Sequence, residues 1–255
     1  MMLAYRVDGA GERVLVLSGS LGTTLELWEP QLEAFAGTFR VLRYDHPGHG
    51  GSPLPARGSR VADFAAALLD LLDTCGYGRV SFCGLSLGAL VGMELATRAP
   101  ERVDGLALAC GAPRIGTPEL WRERAATVRS EGIDRIADTI VARWFTKGFA
   151  AARPAVVRRY RAMLAGTPPE GYARCCDALA ELDFRDSLQQ IAAPTLVLSG
   201  AADHVVSVED QLELERRIPG AVAVVLERAA HLPNVECPDE FNRAVLAHLN
   251  GEVRA

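Results

Sequence analysis

Gly84-Leu85-Ser86-Leu87-Gly88 sets a serine between two glycines, after the apolar run Val80-Ser81-Phe82-Cys83 and before the helical pattern Leu87–Leu95. A serine on so sharp a strand-to-helix turn takes a strained backbone, and its neighbours two positions away must be tiny for the two elements to close up. The turn lifts the hydroxyl above the strand ends and sets it at a helix N-terminus, where the dipole favours developing negative charge. The pattern predicts a nucleophile elbow with Ser86 as the attacking group, against the plainer reading of a glycine-flanked turn that happens to hold a serine.

Serine is a poor nucleophile at its free pKa. It needs a base, and the base needs a third group to fix its tautomer. Where an elbow carries the nucleophile, the acid and then the histidine follow it in the chain. Ser199-Gly200-Ala201-Ala202-Asp203 puts a carboxylate just past a strand end, and Ala229-Ala230-His231-Leu232 puts a histidine just past the next. Alone, Asp203 reads as a turn residue or helix cap; between Ser86 and His231 it reads as the catalytic acid. Among the other histidines, His46 and His49 precede the serine and His204 adjoins the acid, while His248 lies on a terminal amphipathic helix and is expected at the surface. An oxyanion hole needs two backbone N–H groups aimed at the developing charge. Leu87, next after the nucleophile, supplies one; Ser20 in Ser18-Gly19-Ser20-Leu21-Gly22-Thr23 supplies the other, with Leu21 as the alternate.

These residues need a frame that delivers them to one edge. Strand-like runs at Val14–Ser18, Arg40–Tyr44, Val80–Cys83, Leu106–Ala109, Thr195–Ser199 and Val222–Leu226 alternate with helical patterns at Pro30–Ala36, Val61–Thr74, Leu87–Ala99 and Glu240–Asn250. That alternation predicts an α/β fold, a mostly parallel sheet with helices on both faces. Continuous apolar strands such as Val14-Leu15-Val16-Leu17 suit a sheet buried on both sides. From Pro118 to Leu182 the pattern is nearly all helical. The economical organisation is one core, 1–117 and 186–255, with a helical cap insertion at 118–185 laid over the C-terminal edge of the sheet, roofing a pocket.

Composition narrows the function classes. The 255 residues are 49% hydrophobic and 23% charged with net charge −5, enough for a large core and no basis for nucleic acid as a partner. No apolar run reaches the length of a membrane span, and Met1–Arg6 lacks the basic-then-apolar layout of a signal peptide, so a cytoplasmic location is expected. The cysteines Cys75, Cys83, Cys110, Cys175, Cys176 and Cys237 form no C-x-x-C pair and read as free thiols, with neither a disulfide nor a metal site expected.

Together the elbow, Asp45-His46-Pro47-Gly48-His49-Gly50-Gly51-Ser52, Gly200–Asp203 and His231 resemble the α/β-hydrolase family in its chain order, across nearly the whole sequence. The resemblance implies that Asp45–Ser52 is a structural loop beside the pocket. Pro47 stands where the family pattern has arginine, and Ser18-Gly19 where many members have His-Gly. More specific segments resemble the 3-oxoadipate enol-lactonases: Leu17–Trp28, Phe82-Cys83-Gly84-Leu85-Ser86, Arg114-Ile115-Gly116-Thr117-Pro118-Glu119-Leu120-Trp121, Ala142-Arg143-Trp144-Phe145-Thr146 and Glu170-Gly171-Tyr172-Ala173. This implies hydrolysis of 3-oxoadipate enol-lactone to 3-oxoadipate in the β-ketoadipate route of aromatic degradation, with no metal or organic cofactor and a small carboxylated lactone as the binding partner. An anionic arm in an apolar pocket demands a cation or hydrogen-bond donors. Arg143 is the first candidate, with Trp144 beside it as wall or indole donor, Arg114 second, and Trp28 a further wall or core residue. Hydrolysis of another small ester or lactone, carbon–carbon bond hydrolysis, perhydrolysis, and a binding receptor with weak turnover remain open on the same residues.

Overall fold

Val14–Ser18 (β2), Arg40–Tyr44 (β3) and Val80–Leu85 (β4) are short, and all three are almost wholly buried. With Tyr5–Asp8 (β1), Val103–Ala109 (β5), Thr195–Gly200 (β6) and Val222–Leu226 (β7) they form one seven-stranded sheet in the order β1-β3-β2-β4-β5-β6-β7. Every neighbouring pair is parallel except β1 with β3. The computed structural model describes residues 2–54 and 60–252, so Met1 of the N-terminal reading lies outside the described residues.

The edge strand β1 is the one strand the sequence pattern does not reveal. Its Tyr5 and Val7 stay exposed, so no burial period marks it. The expected helix over Pro30–Ala36 divides in two. A 3-10 turn runs over Leu25–Gln31 with Pro30 inside it, and only Leu32–Ala36 (α1) is α-helical, because proline cannot donate the interior helix bond.

Val61–Thr74 (α2) and Leu87–Arg98 (α3) pack on each other, and α3 also lies on β4 and β5. Five helices follow β5: Pro118–Glu131 (α4), Asp134–Val141 (α5), Lys147–Ala152 (α6), Pro154–Ala165 (α7) and Pro169–Ala180 (α8), with α4 and α8 packed extensively together. Val208–Arg217 (α9), the short Pro233–Glu236 (α10) and Pro238–Leu249 (α11) complete the chain. His248, expected at the surface, is instead buried on α11, its Nε2 3.2 Å from the Pro194 carbonyl. The helix turns that residue toward the entry of β6 rather than outward.

Register decides which loops meet. Ser18 of β2 pairs with Tyr44 of β3 on one side and Gly84 of β4 on the other. The segments after these three strands therefore leave the sheet side by side, where the chain order reverses and a parallel sheet opens its crevice. On the far side Gly200 pairs with Leu226, which brings together the loops after β6 and β7.

Candidate active site

Ser86 caps α3 with φ 56° and ψ −112°, one of two non-glycine residues of positive φ among those described. An L-residue there is strained, and such strain is retained where surroundings over-determine it. They do so here. A Cβ on Gly84 would strike the Gly88 carbonyl, and one on Gly88 would strike the Ser18 carbonyl. The two glycines let β4, α3 and the end of β2 approach to backbone contact, which drives Ser86 upward.

His231 and Asp203 meet below a hydrogen bond of 2.9 Å between His231 Nδ1 and Asp203 Oδ2. Both are buried, His231 to 1% exposure. The carboxylate is fully engaged: Oδ1 accepts from the Val205 and Val206 amides at 2.7 and 3.1 Å, and Oδ2 also accepts from Gln211 Nε2 at 3.2 Å. Asp203 is thus both turn cap and histidine partner, one oxygen for each role. Burial pushes its carboxyl pKa up, but the His231 ring, through charge and hydrogen bond, and the two amides outweigh this and hold it below the usual value. Gln211, fixed by a second bond to the Val206 carbonyl, orients this carboxylate. It carried no signal in the sequence beyond its place on the helix after Asp203.

Ser20, Leu21, Ser86 and His231 line one cavity of about 30 Å³, with Trp121, Arg124, Ile140, Arg143, Trp144, Tyr172 and Val205. No hydrogen bond joins Ser86 Oγ to His231 in this arrangement; hydroxyl and ring face the same space. The backbone N–H groups of Ser20 and Leu87 donate to no acceptor among the described residues. Cys110 Sγ lies with the Asp203 and His231 ligand atoms in a group spanning 4.8 Å. These are metal-ligand types, yet Asp203 and His231 already spend their facing atoms on each other.

Of the residues expected at a substrate, Arg143 and Trp144 line this cavity. Arg143 donates to the His204 carbonyl. Arg114 and Trp28 do not line it. Arg114 sits 3.9 Å from Asp183 at the surface. Trp28 is wholly buried against Phe241, ring centroids 6.2 Å apart, because the 3-10 turn directs it inward toward α11. The cation that sequence reasoning missed is Arg124. Its guanidinium lies 4.6 Å over the Trp121 ring and acts on the Tyr172 phenol. It has no carboxylate partner among the described residues. Its spacing of three from Trp121 on one helix was the available signal.

Comparisons with known proteins place the whole chain in one family. The profile described as "Alpha/beta hydrolase family" matches residues 14–244. The chain is 41% identical over 246 residues to 3-oxoadipate enol-lactonase 2 of Acinetobacter baylyi, covering 96% of this chain and 92% of the relative. Among solved structures, the enol-lactonase from Burkholderia xenovorans LB400 superposes with a TM-score of 0.94 at 40% identity, over 97% of this chain and 96% of that one. A malate-bound thermophilic esterase from Thermogutta terrifontis gives 0.93 at 30% identity, over 98% and 93%.

Proposed function

The chain belongs to the α/β-hydrolase family, and on that premise we propose that it opens 3-oxoadipate enol-lactone to 3-oxoadipate through an acyl-enzyme on Ser86. Ser86 Oγ attacks the lactone carbonyl while His231 takes its proton, and Asp203 holds the ring by Nδ1–H and balances the charge that forms there. The carbonyl oxygen, now negative, accepts from the Ser20 and Leu87 amides. Collapse breaks the ring C–O bond. The leaving oxygen is an enolate, a better leaving group than an alkoxide; it takes the proton that His231 had gained, and ketonisation draws the reaction forward. Water then gives a proton to the neutral His231 as it attacks the acyl carbon, and collapse of that second adduct breaks the Ser86 Oγ–acyl bond and returns the proton from His231 to Oγ.

The observation that carries this reading is the cavity itself, in which Ser86 and His231 share walls with two guanidiniums, Arg124 and Arg143, that have no carboxylate partner among the described residues. The lactone's acetate arm supplies the missing anion. The helices within 118–185 serve as the cap in this reading. The cavity has a volume of about 30 Å³, room for on the order of one water, so in this reading its lining side chains rearrange to admit a ring-sized substrate. The 41% identity to an enol-lactonase supports the same substrate.

The test follows the ultraviolet loss of freshly generated 3-oxoadipate enol-lactone. Wild-type protein should give kcat/KM above about 10⁴ M⁻¹s⁻¹, and Ser86→Ala none, with unchanged circular dichroism. Activity retained in Ser86→Ala would remove the serine from the mechanism. A second reading, hydrolysis of another small carboxylated ester, draws on the likeness to the malate-bound esterase. It stands in place of the first if the lactone is inert while an aryl ester is cleaved in a Ser86-dependent way.

A further inference from the structure

The segment after β3 carries two histidines, His46 and His49, buried to 1% and 0% exposure and absent from the chemistry above. Both reach the loop after β2. His46 Nε2 lies 2.8 Å from the Gly19 carbonyl, and the Gly22 amide donates to His49 Nε2 at 3.1 Å. The two rings pack edge to face, centroids 6.2 Å apart. Gly19 accepts a second bond, from the Gly88 amide at 2.9 Å on the first turn of α3.

We infer that His46 is a positioning residue of the oxyanion hole, fixing the Gly19–Ser20 peptide so that the Ser20 N–H faces the scissile carbonyl. The inference rests on the reading of Ser20 as an oxyanion donor. A trans peptide is planar, with its C=O and N–H pointing opposite ways. The Gly19 carbonyl and the Ser20 N–H belong to one such plane. Gripping the oxygen from two sides, by the His46 ring and by the Gly88 amide, therefore aims the N–H in the opposite direction, where Ser20 lines the cavity beside Ser86. Without the ring, only the Gly88 amide holds that oxygen, and the plane is free to tilt about its flanking bonds at Gly19, the residue best able to accommodate it.

The tautomer follows from the acceptor. A carbonyl faces Nε2, so His46 carries its proton there, and Nδ1 is left buried with no partner among the described residues. An orphaned buried nitrogen costs free energy that an apolar side chain in the same space would not. The Gly19 contact is what the imidazole supplies in return. Burial also lowers its pKa, to about 4. Above that value the ring stays neutral, its single proton on Nε2 and donated to the Gly19 carbonyl.

The test uses kcat and KM for an aryl acetate, labelling of Ser86 by a fluorophosphonate, and thermal unfolding as a separate readout of stability. His46→Leu fills the space without a donor, and His46→Gln returns an N–H near the Nε2 position. Removal of a whole oxyanion donor costs about 10²–10³ in kcat. We expect His46→Leu to lose about 10- to 100-fold in kcat with KM within about two-fold, and His46→Gln to recover to within about five-fold of wild type. Should His46→Leu fail to fold, His46→Asn, too short to reach Gly19, replaces it, and the same gap from His46→Gln is expected. Equal kcat in the donor-bearing and donor-lacking variants, or a fall in kcat that merely tracks the melting temperature, overturns the role of His46. Wild-type protein that neither cleaves the ester nor labels at Ser86 overturns the hydrolase reading itself, and the His46 inference with it.

Discussion

At the residue scale, the proposed site separates into groups that do chemistry and groups that hold them. Asp203 illustrates the second kind, since four hydrogen bonds reach its two oxygens and only one comes from His231. The two cavity arginines are not equivalent. Arg143 spends a donor on the His204 carbonyl, whereas Arg124 rests on the face of Trp121 with its charge uncompensated. A charged hydrogen bond contributes about 1.5–3 kcal/mol. Arg124→Ala should accordingly raise KM for the carboxylated lactone by about 10- to 100-fold while an uncharged aryl ester is handled within about two-fold. Arg143→Ala should show the same selectivity more weakly. Steady-state kinetics on both substrates decides this, and equal losses on the two would remove the arginines from carboxylate binding.

At the element scale, the elbow depends on how closely β4, α3 and the end of β2 approach. The contact is backbone to backbone at Gly88, so a single methyl there has no space to enter. Overpacking of this kind costs typically 1–3 kcal/mol. Gly88→Ala should lower the urea midpoint accordingly. It should also reduce ester turnover by more than the loss of folded protein accounts for, because the methyl pushes on the Ser18–Gly19 segment. A variant with wild-type stability and kcat would show that the strand and helix have slack. The edge strand β1 and the divided helix at Leu25–Ala36 belong to this scale too. Both depart from the sequence reading where local pattern is weak: exposed side chains in one case, an internal proline in the other.

For the whole molecule, buried histidines couple the fold to pH. His46 and His49 are held neutral by burial, their pKa values lowered from 6.5 to about 4 and about 3, with the neighbouring ring adding to the effect at His49. Below pH 6.5 the unfolded chain takes up protons that the folded chain refuses, so their contribution is complete above about 6.5 and is lost as pH falls toward 4 and then 3. The Asp203 carboxyl, lowered in the fold, works in the same sense but only below its ordinary value of 3.8. Asp45 works oppositely, because burial raises its carboxyl and proton uptake there favours the folded form near pH 4. Urea midpoints by circular dichroism should fall steadily from pH 7 to 4, with a shallower slope in His46→Gln. A flat profile would show that these rings are protonated without unfolding. Among the described residues no helix is long and apolar enough to cross a membrane.

The strained turn at Ser86 and the strand-end positions that bring Asp203 to His231 were legible in the sequence because their constraints are local: a glycine-flanked turn between strand and helix, and polar residues one turn past successive apolar strands. Periodicity likewise determined the parallel sheet, since residues that alternate between strand and helix can bury both faces of a sheet in one way. What the tertiary structure decided is which side chains from distant segments share a space. It buried Trp28 and His248, took Arg114 to the surface, and brought Arg124, Gln211 and His46 toward the elements they serve. A helical residue's direction depends on how its helix docks, and a buried histidine's partner on strand register. Neither is written in the spacing of the residues themselves, because both arise from packing between segments far apart in the chain.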